Sequence, residues 1–414
     1  MTSTQPRDAA LEQATAAPPN ESHRRLLDQP RIAALDGIRG FAILLIIFWH
    51  YYDIDGEFAR GSIPAYVLSL TRLTWTGIDL FFVLSGFLIG GILLDARESP
   101  NYYKTFYIRR AYRILPLYAV IVALYWLTTP VLPAIGQPTG DPIPAYVYLT
   151  LTQNIWVALG GRFASFWLLV TWTIATEEQF YLVAPALIRK ISPPRLPLLI
   201  AIAVGFALIV RFALYAASPP FAPRATLVLM PARADAFMLG LGAALLFRDP
   251  RGARWLAQRR RWLYLIGLIL GIVLLVFTKK SWGLDTFPMS TLGFTFTSFF
   301  YVVLLLLAVS HPEGPIGKFF NLRPLIALGA IAYGLYLFHE PVKDLLHFAF
   351  NGESARLASW RDAGIDLLAF GITVVIARLS WILFERPLVR RGHRYGYWPS
   401  EAARLYIRRE ASRR

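Results

Sequence analysis

The chain has 414 residues, of which 56% are hydrophobic, only 16% are charged and none is cysteine. That composition excludes an ordinary soluble globular domain, and the missing thiols exclude disulfides, cysteine nucleophiles and cysteine metal sites. The formal charge of +16 does not indicate nucleic-acid binding. The basic residues sit in short segments beside apolar runs, the placement expected of cytoplasmic loops facing an anionic leaflet.

Residues 1–30 are polar, with Pro18, Pro19 and the pair Arg24–Arg25. They are expected to form a disordered cytoplasmic tail with no signal peptide. Apolar runs follow near 35–52, 73–94, 112–132, 144–159, 167–189, 196–217, 226–247, 262–278, 291–310, 323–348 and 362–384, about eleven candidates by length. Basic clusters fall at Arg109–Arg113, Arg189–Arg195, Arg248–Arg261, Lys318–Arg323 and Arg386–Arg394. If all of them face the cytoplasm, an even number of crossings separates each neighbouring pair. Three candidates lie between Arg113 and Arg189, one too many. The weakest is 144–159, which is short, polar in its middle and framed by Pro138, Pro142, Pro144, Gly160 and Gly161.

The expectation is therefore an all-α polytopic integral membrane protein with about ten transmembrane helices and both termini inside. A short non-crossing outer helix lies near 144–159. The loop with Lys279–Lys280 falls on the outer side, a mild breach of the charge rule. The membrane body covers 31–390. The basic, aromatic stretch 391–414 reads as a cytoplasmic tail or as a helix on the inner leaflet.

Ionisable residues inside membrane spans are costly and usually functional. The first span, LDGIRGFAILLIIFWHYY, carries Arg39 and His50 eleven residues apart. That separation returns an ideal helix to nearly the same face about 16 Å further along. The second span, GIDLFFVLSGFLIGGILL, holds Asp79 and Ser85, with Gly77, Gly86, Gly90 and Gly91 permitting close helix approach. Arg109, Arg110 and Arg113 open the third span. They read as a topology anchor or as a phosphate clamp, since guanidinium forks match phosphate oxygens.

TWTIATEEQFYLVAP places Glu177 and Glu178 side by side within a span, near Tyr181. Two adjacent acids are an expensive accident in hydrocarbon. Arg233 and Asp235 follow a proline in PARADAFMLG; two residues apart, they point to different sides and are expected to pair with other helices. AIAYGLYLFHEP contributes Tyr333, Tyr336, His339 and Glu340 near the outer end of another span, where an interfacial aromatic belt is the competing reading for the tyrosines.

Taken in order, the Arg39–His50 pair, GIDLFFVLSGFLIG, FYIRRAYRILPLY, TWTIATEEQFYL and IAYGLYLFHEP resemble the acyltransferase-3 family of integral membrane O-acyltransferases over roughly residues 31–390. The resemblance implies about ten transmembrane helices in the cytoplasmic membrane. It implies an acyl-CoA donor, commonly acetyl-CoA, entering from the cytoplasm, and acylation of a hydroxyl, often on a sugar. It marks His50 and Arg39 as the essential pair, Arg109, Arg110 and Arg113 as the donor-binding motif, and Glu178 as part of the tryptophan-to-glutamate motif. The chain departs from the pattern at Thr173 and Ala332, where serines are common. Some relatives carry an esterase-like domain after the last span; this chain stops soon after it, so the membrane part is expected to act alone or with partners.

Acyl transfer to an alcohol needs a base for the hydroxyl proton and donors for the oxyanion. Neutral His50 is the expected base, with Glu178 or Asp79 orienting it. Glu177, Tyr181, Ser85, Arg233, Asp235, Tyr336 and His339 are expected substrate-contacting or supporting residues. No metal is expected. The expected partners are the bilayer, acyl-CoA and a carbohydrate or lipid-linked acceptor, whose identity stays open. A transporter or flippase also lines its path with buried charge, and it is the alternative reading.

Overall fold

The computed structural model describes residues 32–53, 72–130, 143–160, 163, 166–217, 220–279 and 286–399. The tail 1–30, residues 400–414 and Lys280 lie outside the described residues. The helices are α1 (Ala33–Phe48), α2 (Gly77–Asp95), α3 (Tyr102–Thr128), α4 (Ala145–Leu149), α5 (Gln153–Ala158), α6 (Phe166–Leu169), α7 (Thr171–Lys190), α8 (Leu196–Ala217) and α9 (Ala222–Val228). They continue as α10 (Met230–Arg248), α11 (Pro250–Gln258), α12 (Arg260–Lys279), α13 (Phe294–Ser310), α14 (Pro315–Phe320), α15 (Arg323–Ala330), α16 (Ala332–Asn351), α17 (Trp360–Ser380) and α18 (Arg386–His393).

Among the described residues, eight helical segments are long and apolar enough to cross a membrane, and a ninth counts if α15 and α16 form one span. The protein is an all-α polytopic membrane protein. Its outer helices show why: Leu198, Ile202, Phe206 and Ile209 form an exposed stripe on α8, as do Leu265, Leu268, Ile272 and Leu275 on α12. Spacings of three and four put each set on one helix face, and such apolar stripes face lipid.

Two runs read as single elements are divided. The stretch 323–348 bends by 77° between α15 and α16. The stretch 144–159 consists of α4 and α5, five and six residues long, too short to cross. Its polar middle has work inside the fold: Gln153 Nε2 donates to Thr171 O at 2.9 Å, and Asn154 Nδ2 donates to Val228 O at 3.2 Å and to Gln179 Oε1 at 3.0 Å.

The centre of the bundle is α2, packed on α1, α7, α10 and α13. Glycine sets the closest contact. A methyl group at Gly86 would overlap the Phe237 carbonyl, and one at Gly240 would overlap the Val83 carbonyl, so α2 and α10 meet backbone to backbone. Buried ion pairs cross the same region. Asp79 pairs with Arg233, and Arg211 Nη2 reaches Asp235 Oδ2 at 2.8 Å, with Thr295 Oγ1 donating to the same oxygen at 2.6 Å. Arg233 and Asp235 therefore pair with different helices, as their spacing requires.

One end of the bundle is basic. Arg97 Nη2 donates to Arg189 O at 3.1 Å and Ile191 O at 2.8 Å, Arg189 Nη1 donates to Ser99 O at 3.2 Å, and Arg248 Nε holds Asp95 at 2.8 Å. The C-terminal ends of α2, α7 and α10 and the start of α3 thus share one side.

Candidate active site

A cavity of about 520 Å³ opens at this basic end. Its mouth is lined by Arg39 from α1 and by Arg109, Arg110 and Arg113 from α3, with Ser85, Glu177 and Tyr181 on the facing helices. Arg39 Nη1 is held 2.8 Å from Asp36 Oδ1, one turn earlier on α1. Ser85 Oγ donates to Glu177 Oε1 at 2.9 Å, and Tyr181 OH donates to Glu177 Oε2 at 3.0 Å. Arg110 lies 5.9 Å above the Tyr181 ring. Of the adjacent acids, Glu177 lines the cavity, whereas Glu178 Oε1 is buried with no hydrogen-bond partner.

Arg109 is committed elsewhere. Its Nε donates to Tyr395 O at 2.8 Å and its guanidinium lies 5.0 Å over the Tyr397 ring. Asn101 Nδ2 donates to Gly396 O at 2.9 Å, and Trp398 N donates to Asn101 Oδ1 at 2.9 Å. The chain after α18 is thereby strapped across the start of α3 and brings Tyr397 into the cavity lining, beside His393 at the end of α18.

At its deep end the cavity reaches Ile46, Thr173 and Tyr336. The Tyr336 and Thr173 hydroxyls are 2.6 Å apart, and Tyr336 OH donates to Val170 O at 2.9 Å. Threonine at 173 thus keeps the hydroxyl that a serine would supply.

His50 lies one turn beyond Ile46, roughly 6 Å further along the axis. Here α1 widens into a π-turn over Trp49–Asp53, a feature common at functional sites. The Arg39–His50 face therefore departs from the ideal helix at its last step. His50 Nδ1 meets Ile46 O at 2.9 Å, and His339 Nδ1 meets Tyr336 O at 2.8 Å. A carbonyl only accepts, so each Nδ1 carries the hydrogen and each Nε2 keeps its lone pair. His339 Nε2 stands 3.3 Å from His50 Nδ1. Lys343 Nζ donates to His50 O at 3.1 Å and sits 3.1 Å from Glu340 Oε1. Tyr51 OH donates to His339 O at 2.9 Å. All of these side chains are buried.

The carboxylate beside His50 is neither of the two expected to orient it. Asp79 is engaged by Arg233, and Glu178 does not share the cavity with Glu177. The carboxylate gathered with His50 and His339 is Glu340, its oxygen and the ring nitrogens all lying within 4.8 Å of one another. Such donors also occur in metal sites; here the cation facing Glu340 is Lys343. Arg233 and Asp235 belong to the buried ion pairs and not to the cavity lining. Asp36, Lys343, His393 and Tyr397 were missed from the sequence. Asp36 had a signal, three residues before Arg39; the others had none that periodicity reveals.

The sequence profile of an acyltransferase domain matches residues 32–384. The chain belongs to the acyltransferase-3 family. Its domain is that of an enzyme that transfers acyl groups. Among curated proteins it is similar to the peptidoglycan O-acetyltransferase OatA of Listeria monocytogenes, 28% identical over 376 residues, 87% of this chain and 56% of that protein. It is also similar to the putative peptidoglycan O-acetyltransferase YrhL of Bacillus subtilis, at 27% over 91% of this chain and 57% of the relative. The O-acetyltransferase OatA of Staphylococcus aureus strain MRSA252 is 24% identical over 90% of this chain and 60% of the relative. The chain spans less than two thirds of the length of these relatives. No solved structure matches it.

Proposed function

We propose that this protein is a multi-pass cytoplasmic-membrane O-acyltransferase that moves an acyl group, acetyl in the first instance, from acyl-CoA to a hydroxyl of a cell-envelope glycan. The observation that carries the reading is the cavity running from the arginine mouth to within one turn of His50. By the positive-inside rule the arginine end faces the cytoplasm, where the donor is made. Arg110 and Arg113 suit its phosphates, because guanidinium groups bind phosphate oxygens bidentately, and the arm bearing the thioester suits the interior lined by Ile46, Phe81, Ile89 and Ile114. The relatives' names point to peptidoglycan as the acceptor class.

The chemistry needs a base at the deep end. His50 Nε2 takes the hydroxyl proton as the acceptor oxygen bonds to the thioester carbonyl carbon. The carbon–sulfur bond then breaks, and the imidazolium returns that proton to the departing thiolate. No net proton is gained or lost. The single His50 Nδ1–H goes to Ile46 O, which holds the tautomer, and His339 Nε2 at 3.3 Å offers it a second acceptor that stabilises the transient imidazolium, much as a carboxylate does in a catalytic triad. Glu340 adds negative charge nearby, and Lys343 holds both that carboxylate and the His50 carbonyl. The Tyr336–Thr173 pair lines the deep end of the cavity, where the proposal puts the thioester.

The test is direct. Purified protein in nanodiscs, given acetyl-CoA and muropeptide acceptors, should release free thiol and produce an ester-linked acetyl group detectable by mass spectrometry. Envelope glycans from cells lacking the gene should lose that group. No thiol release together with unchanged glycans would overturn the proposal.

A further inference from the structure

We propose that the Tyr397 hydroxyl is a phosphate ligand, and that the strap after the last membrane helix is a working part of the donor site. Tyr397 lines the mouth of the cavity. Its hydroxyl oxygen is buried and has no hydrogen-bond partner. A buried unsatisfied polar group costs roughly 1–3 kcal/mol, so such groups usually have a ligand or a role. The surroundings say which kind. Arg109 stacks on this ring, and Arg110 and Arg113 line the same mouth. A hydroxyl donor among guanidinium groups completes a site for a multiply charged anion.

The strap is built to hold that hydroxyl in place. Asn101 both donates to Gly396 O and accepts from Trp398 N, bracketing Tyr397 on its two sides. Arg109 fixes the Tyr395 carbonyl at 2.8 Å, and the Tyr395 ring stacks on Tyr112 of α3 at 6.5 Å. Three separate anchors, Asn101, Arg109 and Tyr112, on the four residues Tyr395–Trp398 are more than a solvated tail needs.

The anion is a phosphate ester, and two sources present one here: the coenzyme A moiety of the donor and a phospholipid headgroup at the same end of the bundle. We assign it to the donor, because Tyr397 faces the cavity that continues toward His50. The assignment rests on the donor reading above.

Binding tests it. The full chain in phosphatidylcholine nanodiscs is titrated calorimetrically with coenzyme A and with pantetheine, which lacks the phosphates. Tyr397→Phe removes only the hydroxyl. It should weaken coenzyme A binding roughly tenfold, the loss of one charge-assisted hydrogen bond, and leave pantetheine affinity where it was. Asn101→Ala, which frees the strap from behind, should weaken coenzyme A in the same selective way. If Tyr397→Phe instead loses preference for phosphatidylglycerol-containing nanodiscs while binding coenzyme A normally, the phosphate is a lipid headgroup and the donor assignment is overturned. If the variant matches wild type for both ligands, Tyr397 is packing alone. If wild-type protein binds no coenzyme A, the donor reading itself fails, a result distinct from either.

Discussion

His339 Nε2 lies 3.3 Å from His50 Nδ1, across 289 residues of sequence. Both rings donate through Nδ1 to the carbonyl of a residue three or four earlier in their own helices, so their tautomers are fixed by backbone rather than by chance. His339→Ala should therefore lower turnover by roughly 10- to 100-fold, the worth of one charge-assisted hydrogen bond in the transition state. Coenzyme A affinity should hold. His339→Gln, which keeps an acceptor, should recover part of the rate. Equal loss in both variants would show that the ring serves packing alone.

Asp79 gives the opposite kind of prediction. Its partner Arg233 has no exposed side-chain surface, and removing one member of a buried pair typically costs about 3–5 kcal/mol. Asp79→Ala should thus reduce folded yield and melting temperature in detergent. The double variant Asp79→Leu with Arg233→Met should regain much of that stability, since no lone charge remains. A well-folded Asp79→Ala protein with a specific loss of rate would return Asp79 to the catalytic set.

Gly86 tests the packing at the centre. Gly86→Ala puts a methyl group onto the Phe237 carbonyl, and α2 and α10 must separate to admit it. Overpacking of this kind costs typically 1–3 kcal/mol. The melting temperature should fall, whereas Gly371→Ala, with open space around it, should leave it unchanged.

Much of this architecture was legible in the chain. The helical runs, the close-approach glycines and the separate partners of Arg233 and Asp235 all follow from length and periodicity. The two short helices at 144–159 agree with a segment too polar and too proline-framed to cross. What stayed hidden depends on pairings remote in sequence. Asp79 and Arg233 meet across 154 residues, and nothing in the period of either helix names its partner. Lys343 sits in a stretch that reads as the outer end of a span, and nothing in its spacing names the His50 carbonyl, 293 residues away, as its partner. Adjacent Glu177 and Glu178 could not be told apart until helix rotation placed Glu177 in the cavity. The strap carrying Tyr397 reads from sequence as a basic tail.

The topology admits its own check. Arg97 bonds to the carbonyls of Arg189 and Ile191, and Arg248 pairs with Asp95. Reporter fusions after Lys190 and after Arg251 should therefore report the same compartment, the cytoplasm by the charge rule. A periplasmic signal from either position would contradict this orientation.

The most direct test of the account is the His50→Ala variant, measured for turnover and for donor binding in one preparation. Alanine removes the lone pair that takes the hydroxyl proton and leaves the arginine mouth untouched. Turnover should fall by roughly 10²–10⁴, the usual contribution of a positioned general base, while coenzyme A affinity stays at the wild-type value. A folded His50→Ala protein that still transfers the acyl group at near wild-type rate would show that His50 is structural and that the base lies elsewhere.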